Sequence, residues 1–498
     1  MIRPPDARTV IPALGTTWVP PSRGVIVTRA ALTATTVVDR VEAAGELVTG
    51  WAEPWQALAS TTPTRAVTIP AQLRPPIVVT TCSVGAPPPR RRAGDREGPV
   101  GGGDRYGLVV NGSSHFRQRS GEEQRATWLE LFFDLVFVFA VTQLSHLLLH
   151  HLTLDGSLQT LFLLLVVWWA WIYTTWMTNW FDPDSVLVRL VLLVVMGSSL
   201  LMAVAIPEAF GRLAPLFACA YVVLQVVRNT FNVYATPREN DFHIVFRRIL
   251  AWSLASGALW LAGGFATQDA RTWLWIAALA ADYLAPSLGY WTPRLGRSAT
   301  TDWEIEAAHF AERFQLFIII ALGESIVVTG ATASSAAFDL VIGTSLMVAF
   351  ATSAALWWLY FDEVGWRAQR FLSRADDSGK LARDAYTYLH TPIVAGIIVI
   401  AVADEVVIAH PGSSPSAIEL AVILGGPALY LIGHTLFRLR MIRNVSRKRL
   451  AAAAAIVALA PLGAVLTSLG LAACVLAILI VLAVAETRNR LADTAIPA

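Results

Sequence analysis

The chain is expected to fold as an all-α polytopic integral membrane protein with about twelve transmembrane helices, and three features carry that expectation. Of 498 residues, 55% are apolar and only 15% charged, against about 25% charged in soluble domains; mean hydropathy is +0.55. Beyond Leu129 the apolar residues fall into runs of roughly 20, the length that takes a helix across about 30 Å of hydrocarbon. The runs are apolar all round rather than striped, which a large soluble core would not need. The loops between them alternate between Arg-rich and nearly Arg-free, as membrane orientation requires.

The first 125 residues read differently. "RPPDARTVIPALGTTWVPPSRG" and "GAPPPRRRAGDREGPVGGGDRYG" are rich in Pro, Gly and Arg, and such composition predicts a disordered tail. Its run Pro89 to Arg92 is expected to be solvated. No compact apolar core marks a signal peptide. After Met1 the next Met is Met177, and among 38 Lys and Arg only Lys380 and Lys448 are Lys. That bias suggests a GC-rich gene in which part of the tail is not translated, an expectation that peptides from residues 1–100 would refute.

In order, the expected spans are 130–151, 158–179, 186–206, 214–235, 244–265, 272–291, 310–331, 338–361, 387–408, 417–436, 451–468 and 470–486. They make a transmembrane domain over 126–490 followed by a short tail, 491–498. The last two spans, joined near Leu469 and Gly470, also read as one long helix, which leaves ten or eleven spans open. One set of connections holds Arg238, Arg247 and Arg248; Arg294 and Arg297; Arg367, Arg370, Arg374, Lys380 and Arg383; and Arg438, Arg440, Arg443, Arg447, Lys448 and Arg449. The other set has little beyond Arg212 and Arg271. This alternation places both termini in the cytoplasm of a cell (inner or plasma) membrane. Trp and Tyr crowd span ends, as in "VVWWAWIYTTWMTNWF" (Val166 to Phe181), where interfacial anchoring is expected; a Trp-lined pocket is the rival reading. Cys82, Cys219 and Cys474 are too widely spaced for a metal site or a disulfide framework, and a net charge of +2 gives no case for nucleic acid. No cofactor or metal is expected, and nothing in the sequence fixes an oligomeric state.

Ionisable residues within the runs carry the functional signal, because a charge at the bilayer centre costs about 2.5–3.5 kcal/mol or more. In the first span, Glu130, Asp134 and Ser145 fall within about 60° of one another at 100° per residue, with Thr142 and His146 on the adjacent arc. Glu130 suits a helix cap as well as a functional role; Asp134, a turn deeper, needs a buried partner. In the seventh, His309, Arg313 and Glu324 share a face flanked by Glu312 and Gly323. Glu324 lies about 16 Å along the axis from Arg313 and needs another partner or a proton. Arg228 stands in the fourth span near Asn229 and Asn232, and Asp282 in the sixth before a helix-kinking Pro286. His434 in the tenth is expected to snorkel toward the following basic loop.

"ELFFDLVFVFAVTQLSH" followed by "HFAERFQLFIIIALGESI" resembles the bacterial low temperature requirement A protein family, over roughly residues 125–490. The resemblance matches Glu130, Asp134, His309, Glu312, Arg313, Gly323 and Glu324 to the family's motif positions; Gln315 stands where a Gly would be expected. It implies a multi-pass membrane protein with a role in growth in the cold. "FFDLVFVFAVTQL" is also similar to the motif helix of the lysosomal-type potassium channel family, with six helices repeated twice, which would make this chain a six-plus-six pseudo-repeat.

These readings lead to a transporter that moves an ion, a proton or a small solute through a polar pathway between helices 1, 4, 6 and 7, lined by Glu130, Asp134, Arg228, Asp282, His309, Glu312, Arg313 and Glu324. Its partners are membrane lipid and a cation or proton, and no enzymatic activity is expected. The alternatives are a membrane enzyme acting on a lipid-linked substrate, for which "WFDPD" and "YFDEVGW" offer acids without a compelling metal spacing, and a membrane-state sensor or scaffold.

Overall fold

The protein is described here from a computed structural model, which covers residues 115–117, 125–303, 305–362 and 371–494. The rest of the N-terminal tail, including the basic run at Pro89 to Arg92, and the last residues of the C-terminal tail lie outside the described residues. Residues 115–117 belong to the fold rather than to a tail. Phe116 bridges to Phe181, and the Arg117 amide donates to the Trp180 carbonyl at 2.9 Å.

The main helices are α1 (Trp128–His150), α2 (Leu154–Trp180), α3 (Val186–Ala205), α4 (Ala214–Ala235), α5 (Asp241–Phe265), α6 (Gln268–Leu284), α7 (Ala307–Ser335), α8 (Leu340–Phe361), α9 (Thr391–Ala409), α10 (Ala417–Ile442), α11 (Arg447–Val457) and α12 (Ser468–Thr494). Among the described residues, ten helices are long and apolar enough to cross a membrane. The chain is thus an all-α polytopic membrane protein.

Proline accounts for the two shortened helices. α6 stops at Leu284 instead of running to 291, because Pro286 has no amide proton and its ring crowds the preceding turn. The chain then folds back through Gly289 (φ +62°), where a Cβ would sit 2.4 Å from the Ser298 carbonyl oxygen; only glycine fits. α11 gives way at Val457 to a 3-10 turn, Ala460–Ala464, that contains Pro461. Its sequence and that of α12 are therefore separate helices and not one. Pro392 has a third effect. The stretch leading into α9 winds as a wide π turn, Ala382–Tyr388, and this loosens carbonyls for side chains to use. Trp168 Nε1 donates to the Thr387 carbonyl at 2.7 Å.

The helices pair by one scheme, used twice. α1 packs on α2 and α3, α3 on α4, α4 on α5, and α5 on α6; likewise α7 packs on α8 and α9, α9 on α10, α10 on α11, and α11 on α12. Contacts of α1 and α2 with α7 and α9 join the halves. The tryptophans of α2 do not anchor it at an interface: Trp168, Trp169, Trp171, Trp176 and Trp180 are all buried, because α2 lies inside the bundle. Exposed anchors are elsewhere, at Trp273, Trp291, Trp357 and Trp358.

Candidate functional site

α1 and α7 place their polar faces against each other in constant register. His309 Nε2 lies 2.8 Å from Glu130 Oε1, and Arg313 Nη2 lies 2.7 Å from Asp134 Oδ1; both pairs are separated by 179 residues. The same offset in two pairs one turn apart places the two helices side by side and in the same direction, each advancing 1.5 Å per residue. Further along, Glu324 of α7 is faced by Thr142 and His146 of α1. The two motifs of the sequence are thus two sides of one seam.

Glu130 has a full set of partners. With Thr127 it forms a capping box at the start of α1, and its Oε2 accepts from the Thr127 amide at 2.8 Å and hydroxyl at 3.0 Å. Arg117 Nη2 approaches the same oxygen at 3.4 Å. Glu130 is therefore both a cap and an ion-pair partner. The Asn179 amide fixes the tautomer of His309. Its Oδ1 accepts from the Glu306 amide at 2.9 Å and its Nδ2 donates to the Glu306 carbonyl at 3.0 Å, so the group cannot be flipped. Nδ2 then donates to His309 Nδ1 at 3.1 Å, leaving the ring proton on Nε2, which donates to Glu130. Glu312 accepts from the Ala126 amide at 2.8 Å, tying α7 to the approach of α1.

One turn deeper, Asp134 and Arg313 are fully buried. Asp134 Oδ1 also accepts from Trp171 Nε1 at 2.9 Å. The Arg313 guanidinium lies 5.9 Å from the ring centres of both Phe133 and Trp171, where aromatic faces favour a cation. Asp134 Oδ2 and Arg313 Nε and Nη1 make no hydrogen bond. The counter-charge of Asp134 is Arg313 and not Arg228.

Arg228 and Asp282 form a separate group on the far side of α2. Arg228 Nη1 donates to the Ala170 carbonyl and the Thr174 hydroxyl, both at 3.2 Å, and its guanidinium lies 5.1 Å from the Tyr173 ring centre. It also donates to Gln225. Gln225 Nε2 donates to the Tyr221 hydroxyl at 2.7 Å, and Tyr221 in turn donates to Asp282 Oδ2 at 2.9 Å, which Trp260 Nε1 reaches at 3.1 Å. The two charges are thus joined through two neutral side chains. Helix α2 stands between this chain and the α1–α7 seam: Trp171 serves Asp134, and Ala170 and Thr174 serve Arg228.

Toward the Arg-poor end, the seam changes character. Glu324 is 4% exposed, and its Oε1 has no hydrogen-bond partner; Thr142 and His146 of α1 are the polar side chains that face it. Ser145, equally enclosed, has an unpartnered hydroxyl. The next residue of α7, Ser325, donates to Asp404 Oδ2 of α9 at 3.4 Å and lies 3.3 Å from the Ser353 hydroxyl of α8. Among the described residues, neither Glu324 nor Asp404 has a Lys or Arg in contact. Asp404 was open to sequence reasoning as an acid in the apolar run "IIVIAVADEVVIA", but its place near a span end hid its depth.

Two basic residues depart from expectation. His434 is buried rather than snorkelling: Arg449 Nη1 contacts its Nδ1. Arg449, which reads as a loop charge, is itself fully buried, with Glu486 at 2.7 Å and the Leu359 carbonyl at 2.8 Å. Of the acids of "WFDPD" and "YFDEVGW", Asp184 pairs with Arg189 at 2.7 Å and Asp362 with Arg490 at 2.8 Å, while Asp182 Oδ1 accepts from the Asp184 amide at 2.9 Å. Among the described residues no group of three or more His, Cys, Asp or Glu is placed to hold a metal ion.

Comparison with known proteins bears on the same residues. The family model of the bacterial low temperature requirement A protein matches residues 125–484, a stretch that contains both helices of the seam. An uncharacterised protein of Rhizobium meliloti (strain 1021), RA0937, is 37% identical over 330 residues, covering 66% of this chain and 80% of that protein. No solved structure matches.

Proposed function

The chain belongs to the bacterial low temperature requirement A protein family, and from that premise we propose that it carries a proton or a small monovalent cation across the membrane along the α1–α7–α9 seam. The observation that carries this reading is the pair of acids, Glu324 and Asp404, enclosed within the bundle with no Lys or Arg in contact among the described residues, the His146 ring being the one basic group that faces Glu324. A bare carboxylate at such depth is expensive, so each needs a proton or a cation from outside the protein. Hydroxyls of Thr142, Ser325 and Ser353 beside them supply neutral oxygens of the kind a dehydrated small cation or a proton relay uses. The Asp134–Arg313 and Glu130–His309 pairs form the gate at the Arg-rich end. That end faces the cytoplasm of the cell membrane, as the bias of basic loops requires, and both termini lie there. Arg228 and Asp282, set apart by α2, brace the wall and do not line the route.

The test is flux of H⁺, K⁺ and Na⁺ into proteoliposomes containing the full chain, alongside Glu324→Gln and Asp404→Asn. At least a tenfold loss of flux in each variant, with the protein still folded, is the expected result. Wild-type protein that passes none of the three ions, or variants that pass them unchanged, would overturn the proposal.

A further inference from the structure

On the outer surface of the bundle, α8 and α12 diverge to leave an apolar groove of about 520 Å³. Its floor is made of small residues, Ala351, Ala354 and Ala483, and its rims of Phe350 and Val484. These rims face outward, with Phe350 49% exposed and Val484 46%. At the Arg-rich end the groove is closed by Trp358, whose Nε1 donates to the Thr487 hydroxyl at 2.9 Å, and by Arg488.

The charges at that end are unevenly satisfied. Arg490 is neutralised by Asp362 and Arg449 by Glu486. Arg488 is exposed, and no hydrogen bond or ion pair engages it among the described residues. Lys448 Nζ bonds to the Ala485 carbonyl at 2.9 Å, less than a turn along α12 from Arg488. Among the described residues no acid lines the groove. The arrangement is therefore an apolar slot running along the membrane and ending in two cations beside a Trp.

We propose that this groove binds an anionic phospholipid, one acyl chain lying on the alanine floor between α8 and α12 and the phosphate held by Arg488 and Lys448. Charge complementarity selects this occupant. A chain in the slot removes apolar surface from its surroundings along its whole length, while an anionic head group meets two cations where such heads lie. A second copy of the protein suits the groove less well. The small residues would allow close helix packing, but a symmetric contact brings the same cations toward each other with no acid in the lining to offset them.

The experiment is native mass spectrometry of the full-length protein released from detergent, with phosphatidylglycerol and phosphatidylcholine added in equal amounts. The wild type retains phosphatidylglycerol preferentially. Arg488→Gln lowers that preference roughly fivefold, the effect of about one cation near an anionic surface. Ala354→Phe, which fills the floor at an exposed position, lowers retention of both lipids. Arg443→Gln, an exposed arginine away from the groove, leaves retention unchanged. Equal retention of the two lipids by the wild type, or equal effects of the two arginine substitutions, would overturn the proposal. So would a dimer that Ala354→Phe dissociates and that lipid does not affect.

Discussion

The α1–α7 seam holds buried acids at two depths, and the two sets are treated in opposite ways. Near the Arg-rich end, Glu130 has Thr127, His309 and Arg117, and Asp134 has Arg313 and Trp171. About 16 Å further along α7 from Arg313, Glu324, and beside it Asp404 of α9, have hydroxyls and, among the described residues, no Lys or Arg. Were the acids present only to fix helix packing, the deeper ones would need compensation more, since solvent is farther away. The reverse distribution separates two roles. On the proposed reading, the compensated set closes the seam as its gate. The uncompensated set exposes a charge deficit that a mobile species can fill.

If that division is right, removing one partner has its largest effect in the compensated set. Arg313→Met leaves Asp134 enclosed without a counter-charge and is expected to destabilise the protein by about 3–5 kcal/mol, read from thermal or denaturant unfolding in detergent. Arg313→Met combined with Asp134→Leu restores most of that loss, because an apolar pair of similar volume often matches a buried ion pair. A single-variant loss below about 1 kcal/mol would erase the distinction between the two sets. Arg228→Met has the next largest effect, about 1–3 kcal/mol. It strands the Gln225 side-chain oxygen, but Thr174 keeps its bond to the Ala170 carbonyl and Asp282 its bonds from Tyr221 and Trp260, so no carboxylate is left bare. Thr127→Ala removes the cap of α1 and costs about 1 kcal/mol, with Glu130 retained by His309 and Arg117.

Much of the seam could be read in the sequence, and the failures have physical causes. The helical repeat puts Glu130 with Asp134, and His309 with Arg313 and Glu324, on single faces, because 100° per residue is a local property. Which face meets which depends on register between distant helices, and no single sequence records that; hence the sequence calls for a buried partner for Asp134 without saying which residue it is. The tryptophans of α2 were misplaced for a related reason. A helix that is apolar all round gives no hint whether it faces lipid or protein, and α2 faces protein. Arg449 sits in a run of cations, "RNVSRKR", that looks like a loop, yet α11 begins at Arg447 and carries Arg449 inward to Glu486. Proline was misjudged in degree only: Pro286 ends its helix where a kink was expected.

The smallest effect on stability is expected where the effect on function is greatest. Glu324→Gln and Asp404→Asn keep the shape of each side chain and remove its capacity for charge. In a compensated site such a change strands a cation; here, among the described residues, neither acid has a Lys or Arg in contact, so no permanent charge is stranded. Each variant should unfold within about 1 kcal/mol of the wild type, and a small gain is consistent with the cost of placing a charge at membrane depth. Flux should nevertheless fall at least tenfold, since an amide neither releases a proton nor balances a cation. Measured together on one preparation, the two quantities separate the roles. Large destabilisation by Glu324→Gln would mean that Glu324 is a structural partner like Asp134. Unchanged stability with lost flux is the signature of a residue whose partner is the species being moved.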